Sequence, residues 1–381
     1  MIGLFFFWFL AGTVAVYWVI PRQTARNLFV ALASLGFIFA YDVPAGVVVI
    51  VLSLFSYGMA ALIELRKHDR LFHRLGVCGI VILLVAFKYL GLLAGTLNDL
   101  LQLVTTMPAI RFELLLLPLG ISYITFKHIS YLTDVYWRVT QKGRFITFLC
   151  YSSLFTIFVS GPIERFERIK PQLEGERLIY SASLLGAGFR RIVFGLFKKF
   201  VLADWIAYFT ASLWGDVSSG TALKGVALLG YSFQIYLDFS GYSDIAIGSS
   251  RLFGLTIMEN FNWPYLQPNI SAFWRSWHIS LSEWIRDYVF FPLSNPDRGV
   301  LWNLLFVPLT AMALCGLWHG GEWHYVGWGL WHGSGISVYQ WWKRRQRSRS
   351  GPVRAGGNTW SNGFSIALTF MFVTIGWWWF R

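Results

Sequence analysis

Between Leu314 and Gly333 the chain reads L-C-G-L-W-H-G-G-E-W-H-Y-V-G-W-G-L-W-H-G. This stretch holds three of the seven histidines, His319, His324 and His332. Histidine is the side chain best suited to take a proton and return it near neutral pH. Long apolar runs flank the stretch, and an ionisable group at membrane depth is costly enough to imply function. Glycines at 316, 320, 321, 327, 329 and 333 permit close backbone approach. Gly320 and Gly321 leave room beside His319 for a hydroxyl, and a general base must come within hydrogen-bond reach of the proton it removes. His319 is therefore expected to be such a base. Tying two helices together by hydrogen bonds is the other role its position allows.

Two further clusters carry polar chemistry. His278 lies in F-W-R-S-W-H-I-S-L-S-E-W-I-R-D-Y, where it either lines the route of a donor or packs among tryptophans. Arg275, Glu283, Arg286 and Asp287 are read as ion pairs that fix these short helices. The stretch Y-S-F-Q-I-Y-L-D-F-S-G-Y-S-D, Tyr231 to Asp244, is too polar for a lipid-facing helix. Gln234 and Asp238 there serve either as interior hydrogen-bond glue or as the lining of a substrate tunnel. No H-E-x-x-H set occurs, and no metal site is expected. Phosphate-loop, dinucleotide and nucleophile-elbow motifs are also absent. Cys78, Cys150 and Cys315 lie far apart and read as packing residues.

These residues need elements to hold them, and composition says which kind. The chain is 56% hydrophobic and 13% charged, with 20 Trp and 34 Phe in 381 residues. Soluble domains carry about 25% charged residues, so the expected class is an all-α, polytopic integral membrane protein. With roughly 20 apolar residues per span, about 10–12 transmembrane or re-entrant helices fit. No long polar segment interrupts them, so residues 1–381 are read as a single membrane-embedded domain. The net charge of +13 comes from short basic clusters between apolar runs. Such clusters meet anionic lipid and orient the protein, and no nucleic-acid partner is expected.

Spans are predicted near 3–20, 27–41, 44–64, 75–96 and 113–137, the last two separated by a loop from Asn98 to Ile110 with almost no charge. The run at 145–161 is too short to cross and reads as re-entrant. Spans near 183–212 and 222–250 follow, separated by the polar loop W-G-D-V-S-S-G. Residues 251–300 mix tryptophans with arginines, as interfacial or re-entrant helices do. Spans near 301–317, 322–342 and 360–380 complete the chain. The opening segment lacks the basic start of a cleaved signal and is read as a retained helix. Basic loops mark the cytoplasm. That rule puts the loops at 64–74, 138–144 and 343–358 inside, the N-terminus outside and His319 towards the outer surface.

The chain resembles the membrane-bound O-acyltransferase (MBOAT) family, in the bacterial AlgI/DltB branch of alginate O-acetyltransferases and D-alanyl transfer proteins. The resemblance covers nearly the whole chain. It rests on L-P-L-G-I-S-Y-I-T-F at 117–126, S-G-P-I-E-R-F at 160–166, G-L-F-K-K-F at 195–200 and the 231–244 stretch. E-N-F-N-W-P-Y at 259–265, the 273–288 stretch and G-L-W-H-G at 316–320 complete it. The resemblance implies that His319 is the essential histidine near the extracytoplasmic end of a tunnel, and that His278, on the cytoplasmic side, helps to position the donor. Trp318, Trp277 and Ser280, from the same motifs, join Gln234 and Asp238 as expected substrate contacts. It implies no resident cofactor. The donor would be a thioester, acetyl-CoA or an acyl carrier protein, presented from the cytoplasm of a bacterial inner membrane. The acceptor would be a hydroxyl of an extracytoplasmic polymer or relay protein. S-Y-L-T-D-V-Y at 130–136 favours acetyl as the acyl group, and S-G-P-I-E-R leaves D-alanyl open. A polymer or lipid transporter without acyl chemistry is the reading from another class.

Overall fold

The computed structural model describes residues 3–104, 116–175, 179–215, 220–350 and 359–381. Helices dominate it, and among the described residues only one isolated antiparallel bridge, Phe261 with Trp277, pairs strand-like backbone. Five helices are long and apolar enough to cross a membrane: Gln23–Tyr41, Val43–Glu64, Asp69–Val104, Pro296–His319 and Asn362–Phe380. The protein is a multi-pass membrane protein of the all-α class.

The chain forms two compact units. The first holds Met1–Phe194 and Ser243–Met258. Its helices are α1 (Leu4–Val19), α2 (Gln23–Tyr41), α3 (Val43–Glu64), α4 (Asp69–Val104), α5 (Ile121–Tyr136), α6 (Phe145–Ser153) and α7 (Phe166–Glu174). Asp42 shows how a short turn organises them. Its carboxylate caps α3 by accepting from the Ala45 N–H at 2.9 Å, and its other oxygen accepts from the Leu119 N–H at 2.8 Å.

Helix α6 has nine residues. At about 1.5 Å per residue that is roughly half of a hydrocarbon core. The backbone after it is non-helical and buried. It is satisfied by protein: the Phe155 N–H donates to Ser34 Oγ at 3.2 Å, and the Ile157 N–H donates to the Leu154 carbonyl at 3.2 Å. Irregular backbone inside an apolar layer needs such partners.

Three boundaries differ from expectation. Helix α4 starts at Asp69, inside the basic stretch, and runs to Val104, so part of the expected 98–110 loop is helical; the remainder lies outside the described residues. Helix α5 starts at Ile121 rather than near 113. Pro118 cannot donate to a helix, and Gly120 takes a left-handed φ of 73° just before the first turn. Residues 113–115 lie outside the described residues, as do 216–219 of the W-G-D-V-S-S-G loop.

The second unit holds Gly195–Tyr242 and Glu259–Arg381. Helix α8 runs from 182 to 215 with a π-helical segment at Phe197–Ala203, and α9 is Thr221–Arg251. Both cross the boundary in sequence between the two units. Short helices follow, α10 (Ile270–Trp274) and α11 (Ile279–Ile285), then α12 (Pro296–His319), α13 (Trp323–Ser350) and α14 (Thr359–Phe380). The basic stretch from Lys343 is helical to Ser350 rather than a loop, because arginine and glutamine are good helix formers. Residues 351–358 of that expected loop lie outside the described residues.

Helices α12 and α13 form a hairpin whose backbones touch. A Cβ at Gly316 would lie 2.0 Å from the Tyr325 carbonyl oxygen, and one at Gly329 would lie 2.1 Å from that of Met312. Only glycine fits at either position.

Candidate active site

The hairpin places His319 at the last turn of α12. Its imidazole sits among Trp318, Trp328 and Phe380, with ring centroids 4.9, 5.1 and 5.0 Å away. The His278 ring is 6.5 Å away. The chain therefore brings together two histidines separated by 41 positions, both from the second unit.

His278 is held by backbone. It takes a left-handed φ of 41° and starts α11. The segment before it pairs with 260–262: the Asn262 N–H donates to the Ser276 carbonyl at 3.0 Å, and the Ile279 N–H donates to that of Asn260 at 2.9 Å. Asn260 Oδ1 accepts from the Ser280 N–H at 3.2 Å and its hydroxyl at 2.7 Å. Ser280 thus fastens the turn. Phe239 meets the His278 ring edge-on at 4.6 Å, and Trp318 lies 5.7 Å from it.

His278 is 1% exposed and His332 is wholly buried. Among the described residues neither ring nitrogen of either histidine has a hydrogen-bond partner, and the same holds for Nε1 of Trp274 and Trp328. His332 is boxed by Trp274 at 5.2 Å, Trp328 at 4.8 Å and Phe372 at 5.8 Å. Buried polar atoms in folded proteins are bonded in the great majority of cases. A group of unbonded donors and acceptors in one aromatic cluster has hydrogen-bonding capacity left for a substrate.

Trp274 also lines a cavity of about 360 Å³ together with Arg275, Arg286, Met312, Cys315 and Gln340. Arg286 is held by Asp287 at 2.8 Å and by Glu283 at 3.8 Å, so three of the four residues expected to form ion pairs do so, while among the described residues Arg275 joins no ion pair. Glu283 also lines this cavity, so Arg275 is its one lining cation outside that ion-pair group, and the Trp274 wall touches the histidine cluster.

The 231–244 stretch divides its roles. Gln234 accepts from the Thr210 hydroxyl at 2.9 Å, and Asp238 pairs with Lys199, both partners being on α8. Tyr236 packs on Trp277 at 6.2 Å, and Phe239 packs on His278. Sequence reasoning named the polar members and missed the aromatic ones that reach the site. It also missed Asn260, which stood in E-N-F-N-W-P-Y as a polar residue among aromatics. His324 is partly exposed and bonds Glu322 at 3.3 Å. No three His, Cys, Asp or Glu side chains group as metal ligands among the described residues.

Comparison with known proteins decides the class. The profile of the membrane-bound O-acyltransferase family matches residues 138–375, which include His278, His319 and His332. The chain belongs to the membrane-bound O-acyltransferase family. It is an O-acyltransferase, which sets the transporter reading aside. The chain is 32% identical to a probable alginate O-acetylase AlgI of Pseudomonas aeruginosa, over all of this chain and 71% of that protein. It is 30% identical to a peptidoglycan O-acetyltransferase of Helicobacter pylori, over 99% of this chain and 76% of that one. It is 29% identical to a teichoic acid D-alanyltransferase of Bacillus subtilis, over 98% of this chain and 95% of the relative.

Proposed function

We propose that this acyltransferase moves an acetyl group from a cytoplasmic thioester to a hydroxyl of an extracytoplasmic polysaccharide or other cell-envelope polymer, or to a relay protein there. Residues 1–381 act as one membrane-embedded enzyme of the bacterial inner membrane. The N-terminus faces outward and the basic stretch from Lys343 faces the cytoplasm, as the excess of basic residues in the inner loops requires.

The observation that carries this reading is that His319 lies 6.5 Å, ring to ring, from His278, and that the His278 ring nitrogens are unbonded among the described residues. A ring nitrogen of His319 takes the proton of the acceptor hydroxyl. The oxygen then attacks the thioester carbonyl, an ester C–O bond forms and the C–S bond breaks. The imidazolium returns its proton to the departing thiolate. His278 donates a hydrogen bond to the donor and holds its carbonyl near His319. Arg275, at the cavity beside Trp274, suits a phosphate of acetyl-CoA or of a phosphopantetheine arm on a carrier protein.

Mild base treatment of envelope polymers tests the reading. Acetate released from cells with the protein, but not from cells without it or with His319→Ala, supports it. D-alanine released in the same pattern supports a D-alanyl transferase instead. The near full-length match to the B. subtilis D-alanyltransferase is what keeps that second reading. Unchanged release of both overturns the two together.

A further inference from the structure

In the first unit, the end of α3, the loop after α5 and helix α7 line a second cavity of about 650 Å³. It presents five cationic side chains, Arg66, Arg138, Lys142, Arg144 and Lys170, and two carboxylates, Glu64 and Glu174. The carboxylates are engaged by backbone. Glu64 accepts from the Lys142 N–H at 2.7 Å, and Glu174 accepts from the Arg144 N–H at 3.0 Å. Arg138 pairs with Asp69 at 2.9 Å, and the Lys142 ammonium lies 5.1 Å from the Tyr57 ring centre. Among the described residues Lys170 makes only a long 3.4 Å bond, to the Gln141 carbonyl. Among the described residues, no carboxylate pairs with the side chain of Arg66 or Arg144.

The cavity's five cations outnumber its two carboxylates, and two of its guanidinium groups have no carboxylate in pairing distance among the described residues; an anion with several oxygens suits them, and phosphate matches the planar fork of arginine. Arg66 and Arg138 hold φ angles of 61° and 66°, a region residues other than glycine seldom adopt. The cavity wall is thus maintained at a backbone cost. Beside Arg138, Trp137 is 45% exposed and Val139 is 54% exposed. An exposed tryptophan next to basic side chains marks headgroup level.

We propose that this cavity binds the phosphate of an anionic phospholipid headgroup. Arg66 and Arg144 take its oxygens, and Trp137 and Val139 lie against the lipid's apolar part. The same chemistry would accept a soluble phosphate compound, but that ligand would make no use of the exposed apolar rim.

Native mass spectrometry of the delipidated protein, offered phosphatidylglycerol, phosphatidylethanolamine or inorganic pyrophosphate, tests this without reference to acyl transfer. Phosphatidylglycerol is expected to be retained in preference to phosphatidylethanolamine, and pyrophosphate is expected not to displace it. Arg66→Gln and Arg144→Gln should each weaken retention about fivefold, as a basic residue near an anionic headgroup contributes. Lys170→Gln tests the same cavity from a helix surface, with a smaller loss, should an arginine variant fail to fold. Equal retention of the two lipids, or undiminished retention by all three variants, overturns the site. Displacement by pyrophosphate overturns the lipid and assigns the cavity to a soluble phosphate compound.

Discussion

His128 in the first unit and His332 in the second are both fully buried on helices, yet their surroundings differ in one respect. The His128 ring is spent: Nδ1 bonds Ser56 at 2.8 Å and Nε2 bonds Ser152 at 2.7 Å, while Ser152 bonds Ser53 at 2.9 Å. Lys127 beside it donates to the carbonyls of Tyr151 and Ser152. The His332 ring, like that of His278, bonds nothing among the described residues and meets aromatic faces instead. One histidine completes a polar network and holds the fold. The others have ring nitrogens that no group among the described residues uses. Burial alone does not separate the two kinds; the bookkeeping of donors and acceptors does.

The largest test is at the reaction itself. His319→Ala should lower acyl transfer by about three orders of magnitude, the range of a lost general base, with membrane insertion unchanged. Full activity in a well-expressed variant would sink its assignment as base. Next is the structural histidine. His128→Leu leaves the Ser56 and Ser152 hydroxyls short of a partner and should cost about 2–3 kcal/mol, read as a lower thermal midpoint with turnover per folded molecule retained. His332→Phe should do the reverse. It removes two unbonded nitrogens from an aromatic box, so stability should hold or rise by about 1 kcal/mol, read as an unchanged or higher midpoint, while the donor KM rises several-fold. If both variants lose the same stability, the comparison fails.

The smallest effect is expected at Glu164, between α6 and α7. Burial raises its pKa, against the N–H groups of Arg165 and Met258 and the guanidinium of Arg168, which bind the carboxylate. A raised carboxyl binds its proton more tightly folded than unfolded. Stability should therefore fall as pH rises from the ordinary glutamate range through the folded value, and level off above it. Glu164→Gln should flatten that slope in detergent-solubilised protein. An unchanged slope would place the titration elsewhere.

Much of the fold was legible because lipid forces apolar residues into runs of countable length. Helices α1, α2 and α3 begin and end within a few residues of expectation, and the brevity of α6 was visible in its short apolar run. The start of α5 was less so, since it depends on Pro118 and on a left-handed Gly120 that no apolar count registers. At the site, His319 and His278 stood out as rare ionisable residues in apolar surroundings. Asn260, Tyr236 and Phe239 did not. An asparagine that clamps a turn 20 residues away, or a phenylalanine that edges an imidazole, has no local pattern to betray it. Lys127, His128 and their serines were hidden for the same reason: the group is assembled from three separate helices, α3, α5 and α6.

The touching backbones of the α12–α13 hairpin bear on how this enzyme tolerates variation. Most apolar positions in a membrane protein accept a neighbour of similar size with little harm. At Gly316 and Gly329 a single methyl group would act as a wedge driven between two helices, one of which ends in His319. A saturation screen scored on acyl transfer should therefore flag these two glycines nearly as strongly as the histidine itself. The map of intolerant positions would outline the hinge pin of the site as well as its chemistry.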